Sequence, residues 1–183
     1  MKKLLLCAAM ALAGLLALPA SANTLTFQGV TFETEASGDN LTLTITNALT
    51  GGTGNWSDIA FLKAFEIKDI GTVTSATLAG WVNSDNALSN QGCLNGNTNG
   101  ACFTISPAFQ LTDSFSFNIA FTGALDFSNP HLKVQFLEGI NDTRAAGSLL
   151  SQTIPAVPEP ETYALMLAGL GAVGYMSRRR RKA

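Results

Sequence analysis

Apolar and polar residues alternate between positions 109 and 121. The large apolar side chains of this stretch all occupy odd positions: Phe109, Leu111, Phe115, Phe117, Ile119 and Phe121. Successive side chains of a β-strand point to opposite faces, so this period of two predicts strands with one buried and one solvated face. Asp113 interrupts the apolar row. We therefore expect a bend or bulge there, between two strands.

Similar alternation recurs along most of the chain. It predicts further strands near residues 25–32, 41–46, 58–70, 73–81, 103–107, 132–136 and 148–154. A change of parity at Gly29 indicates a β-bulge in the first of these, and Pro107 is expected to end the strand that contains it. About eight short strands separated by Gly and Asn turns predict an all-β fold, an antiparallel β-sandwich in which a jelly-roll arrangement is one option.

The first 22 residues have the pattern of a secretory signal peptide. Lys2 and Lys3 precede an apolar segment over residues 4–18, and the small residues Ala20-Ser21-Ala22 follow it. This pattern predicts export across the inner membrane and cleavage by signal peptidase between Ala22 and Asn23. Residues 23–156 then form one β-sandwich domain.

A second membrane segment is predicted over about residues 162–177. Its uncharged centre, residues 163–176, would extend about 21 Å as a helix, which is short for a bilayer core of about 30 Å. A basic cluster follows directly: Arg178, Arg179, Arg180, Arg181 and Lys182. Because basic residues beside a span stay on the cytoplasmic side, the domain is expected to lie outside.

The segment Val157-Pro158-Glu159-Pro160 precedes this span. Together with the span and the basic cluster, it resembles the PEP-CTERM sorting signal of Gram-negative bacteria that produce exopolysaccharide, over residues 157–183. The resemblance implies recognition by an exosortase, a membrane cysteine transpeptidase-like enzyme, and cleavage near Pro-Glu-Pro. It also implies that the single-pass precursor occupies the inner membrane transiently and that the product reaches the cell surface or the extracellular matrix of a biofilm. An ordinary C-terminal tail anchor is the alternative.

The charge of the predicted domain is acidic. Residues 23–156 contain four Lys or Arg and eleven Asp or Glu. An acidic domain without a basic stripe is unsuited to nucleic acid, whose binding requires clustered Lys and Arg. We therefore expect no nucleic-acid partner.

Cys93 and Cys102 are the two cysteines that follow the signal peptide. In an exported protein, such a pair predicts a disulfide. The residues between them are rich in Asn and Gly, and we interpret them as a loop that the bond closes. A redox pair or a zinc site is disfavoured, because eight residues separate the cysteines and the chain has one histidine.

The sequence contains no recognisable catalytic constellation. His131 is the single histidine, and no GxSxG motif accompanies it. We therefore expect no enzymatic activity, no cofactor and no metal, although Asp and Asn loops leave calcium open. The leading hypothesis is a non-catalytic cell-surface or extracellular-matrix protein. The alternative is a carbohydrate-binding module that engages exopolysaccharide through Trp56 or Trp81, although core packing is the favoured interpretation of both tryptophans. A matrix polysaccharide hydrolase is less favoured.

Overall fold

The computed structural model describes residues 21–147, 149–156, 166, 169 and 170. The predicted signal peptide up to residue 20, the Val157–Pro160 motif, the basic cluster and most of the predicted span lie outside these residues. Within the part of the chain that is described, no helix is long and apolar enough to cross a membrane.

Two five-stranded antiparallel sheets make up the described domain. The first contains, in spatial order, β1 (Ser21–Phe27), β2 (Val30–Ser37), β3 (Asn40–Thr46), β8 (Ser114–Leu125) and β5 (Gly71–Thr77). The second contains β10 (Leu150–Thr153), β9 (His131–Leu137), β4 (Phe61–Lys68), β7 (Gly92–Gln110) and β6 (Val82–Ser89). This architecture confirms the predicted antiparallel β-sandwich.

The core lies between the two sheets and is built from the alternating residues. Leu41 and Leu43 of β3 are buried and pair with Ile119 and Phe117 of β8. From the opposite sheet, the Phe65 ring stacks on the Phe117 ring at a centroid distance of 5.3 Å. Burying such a side chain contributes about 1.5–3 kcal/mol, so the odd-position row identified in the sequence is the face that holds the sheets together.

The predicted β-bulge at Gly29 is wrong. The parity changes there because Gln28 and Gly29 form a two-residue hairpin turn between β1 and β2, with Phe27 paired to Val30. Both turn residues have positive φ, 46° and 80°, as a type I′ turn requires. A Cβ atom on Gly29 would also lie 1.9 Å from the Gly51 carbonyl oxygen.

Strand β7 is longer than the sequence predicted. It begins at Gly92, includes most of the presumed cysteine loop, and continues through Pro107 to Gln110. Pro107 does not end it, because the pairing of β7 with β4 skips from Thr104 to Phe109 and leaves the proline outside the ladder. The predicted break at Asp113 is confirmed, since β8 begins at the following residue.

The hairpin formed by β6 and β7 bends back over the outer face of the second sheet. Cys93 and Cys102 are joined by a disulfide with their Cα atoms 5.9 Å apart, which confirms the predicted bond. Leu88, Ala64 and both cysteines form a small second apolar cluster on that outer face, with Leu149 packed against it. The two cysteines therefore pack against the sheet, whereas Leu94, Gly96 and Asn97 between them are exposed.

Candidate functional site

The two ends of the domain meet on one side of the sandwich. Asn23 of β1 forms an antiparallel β-bridge with Ala156, and the Thr24 N–H donates to the Pro155 carbonyl over 3.3 Å. The Asn23 side chain is 1 % exposed, and its amide donates to the carbonyls of Phe127 and Ser128. The predicted mature N-terminus and the residue before Val157 are thus held together.

The predicted signal-peptidase junction lies within a strand. Ala22 pairs with Glu35 of β2, and Asn23 pairs with Thr34. A protease needs its substrate segment extended and unpaired from neighbouring strands. We therefore expect the predicted cleavage between Ala22 and Asn23 to precede the pairing of β1 with β2.

Glu66 is a buried carboxylate that the sequence analysis did not single out. It is fully buried in β4, and its Oε2 atom lies 3.0 Å from the Lys133 ammonium and accepts the Leu88 N–H over 2.8 Å. Its Oε1 atom accepts the Thr98 hydroxyl over 2.5 Å. Glu66 thereby fastens both strands of the β6–β7 hairpin to the sheet. Opposite charges at one register position of β4 and β9, Glu66 and Lys133, are the signal that could have revealed it.

His131 lies at the start of β9, beside β10. Its Nε2 atom is 3.0 Å from the Ser151 hydroxyl and its Nδ1 atom 3.4 Å from the Thr153 hydroxyl. Burial, followed by the nearby Lys68 ammonium, lowers the pKa of His131 below its ordinary value. No carboxylate of the described residues is hydrogen-bonded to the ring, so it lacks the orienting group of a Ser-His-Asp arrangement.

The two tryptophans do not form a common platform. Trp56 is 1 % exposed, and its ring packs edge-on against Phe27 and Phe136 at 5.2 and 5.0 Å. Trp56 is therefore a core residue, as the favoured interpretation expected, and its burial argues against the alternative of a sugar contact. Trp81 is half-buried, and its ring contacts those of Phe65 and Phe117, each at 5.2 Å.

A polar cleft opens on the side of the sandwich where β5 and β6 are the last strands of their sheets. We call it the edge cleft. Its volume is about 300 Å³, and it lies between residues 71–75 of β5, residues 83 and 85 of β6, and residues 98–100 of β7. Within residues 21–147 and 149–156, no group of three or more His, Cys, Asp or Glu side chains is placed to hold a metal ion.

Comparison with protein families gives a match at the C-terminal end of the domain. The model of the PEP-CTERM protein-sorting motif matches residues 156–182. The chain carries a PEP-CTERM motif. The finding confirms the resemblance seen in Val157–Pro160, the predicted span and the basic cluster.

The PEP-CTERM match begins at Ala156, the residue that forms the bridge with Asn23. In the sequence, the match thus begins at the last residue of the domain that is paired in the structure. It implies an exported precursor that is anchored in the membrane and processed by an exosortase.

Two further comparisons concern the whole chain. A crystal structure of an uncharacterized protein from Nocardia farcinica, described as having an immunoglobulin-like fold, is similar over 72 % of this chain and 81 % of that chain, with 11 % sequence identity and a TM-score of 0.37. No curated protein matches the sequence.

Proposed function

We propose that this protein is an exported, non-catalytic component of the cell surface or extracellular matrix. Its precursor is held transiently in the inner membrane and is released when an exosortase cuts near Pro158–Pro160. The observation that carries the proposal is the PEP-CTERM match, which begins at the last paired residue of the domain.

The chemistry of the domain supports a binding or structural role over catalysis. The disulfide between Cys93 and Cys102 suits an oxidising location outside the cytoplasm. The ring nitrogens of His131 are both near hydroxyl groups of β10, and the edge cleft has Asp85 as the one carboxylate among its lining residues. A glycosidase requires two carboxyl groups about 5–10 Å apart, so a matrix polysaccharide hydrolase is the weakest of the three proposals.

Intact mass spectrometry on fractions of the native cells tests the proposed sorting. We expect a species outside the inner membrane that lacks residues 1–22 and the residues after about position 160. Replacing Pro158 and Pro160 with Ala should leave the precursor in the inner membrane, whereas Glu161→Gln should not. A wild-type mass that retains residues 178–182, found only in the inner membrane, would show an ordinary tail anchor instead.

A carbohydrate-binding module that engages exopolysaccharide is the second candidate function. The observation that favours it is the edge cleft, which exposes hydroxyl, amide and carboxylate groups on an exported domain. Trp56 is unavailable for stacking, and Trp81 presents only part of its ring. Sugar binding should therefore be tested at the edge cleft and not at the tryptophans.

A further inference from the structure

The irregular positions of three strands converge on the edge cleft. In β5, Val73 pairs with Gly123 and Ser75 with Thr122, so Thr74 is left without a partner in the ladder. The β6–β7 register likewise shifts between Ser84 and Asn86, so Asp85 has no partner in that ladder. Such bulges turn a side chain away from its regular direction and are over-represented beside functional sites. Both Thr74 and Asp85 line the cleft.

Residues 98–100 of strand β7 form the third side of the cleft. Thr98 and Asn99 lie in the gap of the β6–β7 register between Asn97 and Cys102, directly before Gly100, where the pairing with β4 begins. The Thr98 hydroxyl donates to buried Glu66, and the Asn99 amide nitrogen donates to Asp69 over 2.8 Å. The Thr98 hydrogen is thus engaged, and the Thr98 oxygen lone pairs, the Asn99 carbonyl oxygen and the second N–H of the Asn99 amide are left for a ligand.

Four other polar side chains of the cleft make no side-chain hydrogen bond to another described residue: Thr72, Thr74, Asn83 and Asp85. No Lys or Arg is among the lining residues. The cleft therefore offers hydroxyl and amide groups that can both donate and accept hydrogen bonds, together with one negative charge. Its volume is at the lower end of the range for small-molecule sites.

We propose that the edge cleft binds a neutral, hydroxyl-rich sugar unit of a glycan. Sugar hydroxyls would donate hydrogen bonds to the Asp85 carboxylate, the Thr98 hydroxyl oxygen and the Asn99 carbonyl oxygen. A uronate or other acidic glycan is disfavoured, because its carboxylates would face Asp85 and a domain with an excess of seven acidic residues. This inference deepens the second candidate function and is independent of the sorting mechanism.

Two other occupants fit the cleft less well. An added β-strand requires a regular edge, whereas both β5 and β6 carry register shifts where they face the cleft. A divalent cation requires several carboxylate or carbonyl oxygens at short distances, and Asp85 is the one carboxylate that lines the cleft. The observations thus favour a neutral ligand with many hydroxyl groups.

The test uses the processed protein and the polysaccharide of its own cells, separated by anion exchange into a neutral and an acidic fraction. We expect isothermal titration calorimetry to show binding of the neutral fraction. Asp85→Asn, which keeps the size but removes the charge, should weaken that binding by about tenfold or more, as losing a hydrogen bond to a charged group does. Asn83→Ala should also weaken it.

Glu35→Gln is the matched control, because Glu35 is exposed on β2 and is absent from the cleft. It should bind like the wild type, and thermal unfolding should show that all variants are folded. Preference for the acidic fraction, absence of binding, or equal binding by Asp85→Asn and the wild type would each overturn the proposal. A protein that is sorted and trimmed as expected but binds neither fraction would refute the cleft alone and leave the proposed sorting intact.

Discussion

The two sides of the sandwich differ in how their outermost strands end. On one side, β1 of the first sheet is joined to residues 155 and 156, which follow β10 of the second sheet. We call this the joined side. On the other, the open side, β5 and β6 are the last strands of their sheets, and the edge cleft lies beside them. The comparison places the attachment point of the sorting motif at the joined side and the polar groups of the edge cleft at the open side.

Each side is secured by a buried polar side chain. Glu66 fixes the β6–β7 hairpin behind the open side through Lys133, Leu88 and Thr98. Asn23 fixes the joined side through two carbonyls of the loop after β8. A carboxylate paired with an ammonium is more costly to remove than a neutral amide, so the two sides should differ in their sensitivity to substitution.

The largest effect is expected for Glu66→Ala. Removing this carboxylate leaves the Lys133 ammonium, whose side chain is 18 % exposed, without its partner. We expect the free energy of unfolding to fall by about 3–5 kcal/mol, as measured by urea denaturation of the processed protein. Glu33→Ala, an exposed substitution on β2, should change it by less than about 0.5 kcal/mol.

A double variant sharpens this prediction. Adding Lys133→Met to Glu66→Ala removes the unpaired charge and should restore part of the lost stability. If the double variant were as unstable as the sum of the two single variants, the ion pair would not be what holds the hairpin.

A smaller effect is expected for Asn23→Ala on the joined side. The substitution removes the donors to the carbonyls of Phe127 and Ser128, which should cost about 1–2 kcal/mol. Hydrogen exchange should show faster opening of β1 while the β6–β7 hairpin stays protected. The control is Asn118→Ala, whose exposed side chain bonds only Thr42 among the described residues; equal losses in both variants would contradict a special role for Asn23.

The smallest effect concerns pH and His131. Its pKa is lowered in the folded protein, so the unfolded chain, with a pKa near 6.5, takes up the proton first as the pH falls. Stability should therefore decrease slightly as the pH falls below about 6.5 and should not depend on His131 well above that pH. Urea denaturation of His131→Gln should show a flatter profile, and an unchanged slope would assign the pH dependence to other groups.

The sequence predicted the strands that have one buried face. Leu41 and Leu43 of β3 and Phe117 of β8 alternate with polar residues because only one side of their sheet is covered. Strand β6 was missed because it is an edge strand whose residues are mostly polar or exposed, so burial leaves no periodic pattern in it. At Gly29, periodicity registered the change of parity but could not distinguish a bulge from a hairpin turn.

The candidate binding site could not be predicted from the alternation of apolar and polar residues. Thr74, Asp85 and Asn99 are unremarkable polar residues in the sequence, and only the pairing irregularities of three strands bring them to one cleft. Trp56 was considered for a surface role because it follows a glycine-rich turn, but its burial agrees with core packing, the interpretation that the sequence favoured. The disulfide was predictable because it requires only two cysteines and an oxidising location.

The bridge between Asn23 and Ala156 also has a consequence for the order of folding during export. Residue 23 is among the first of the domain to leave the ribosome and cross the membrane, and residue 156 is the last. Strand β1 therefore lacks its outer neighbour until translocation of the whole domain is complete. The bridge can therefore form only after residue 156, where the sorting motif begins, has followed residue 23 out of the ribosome.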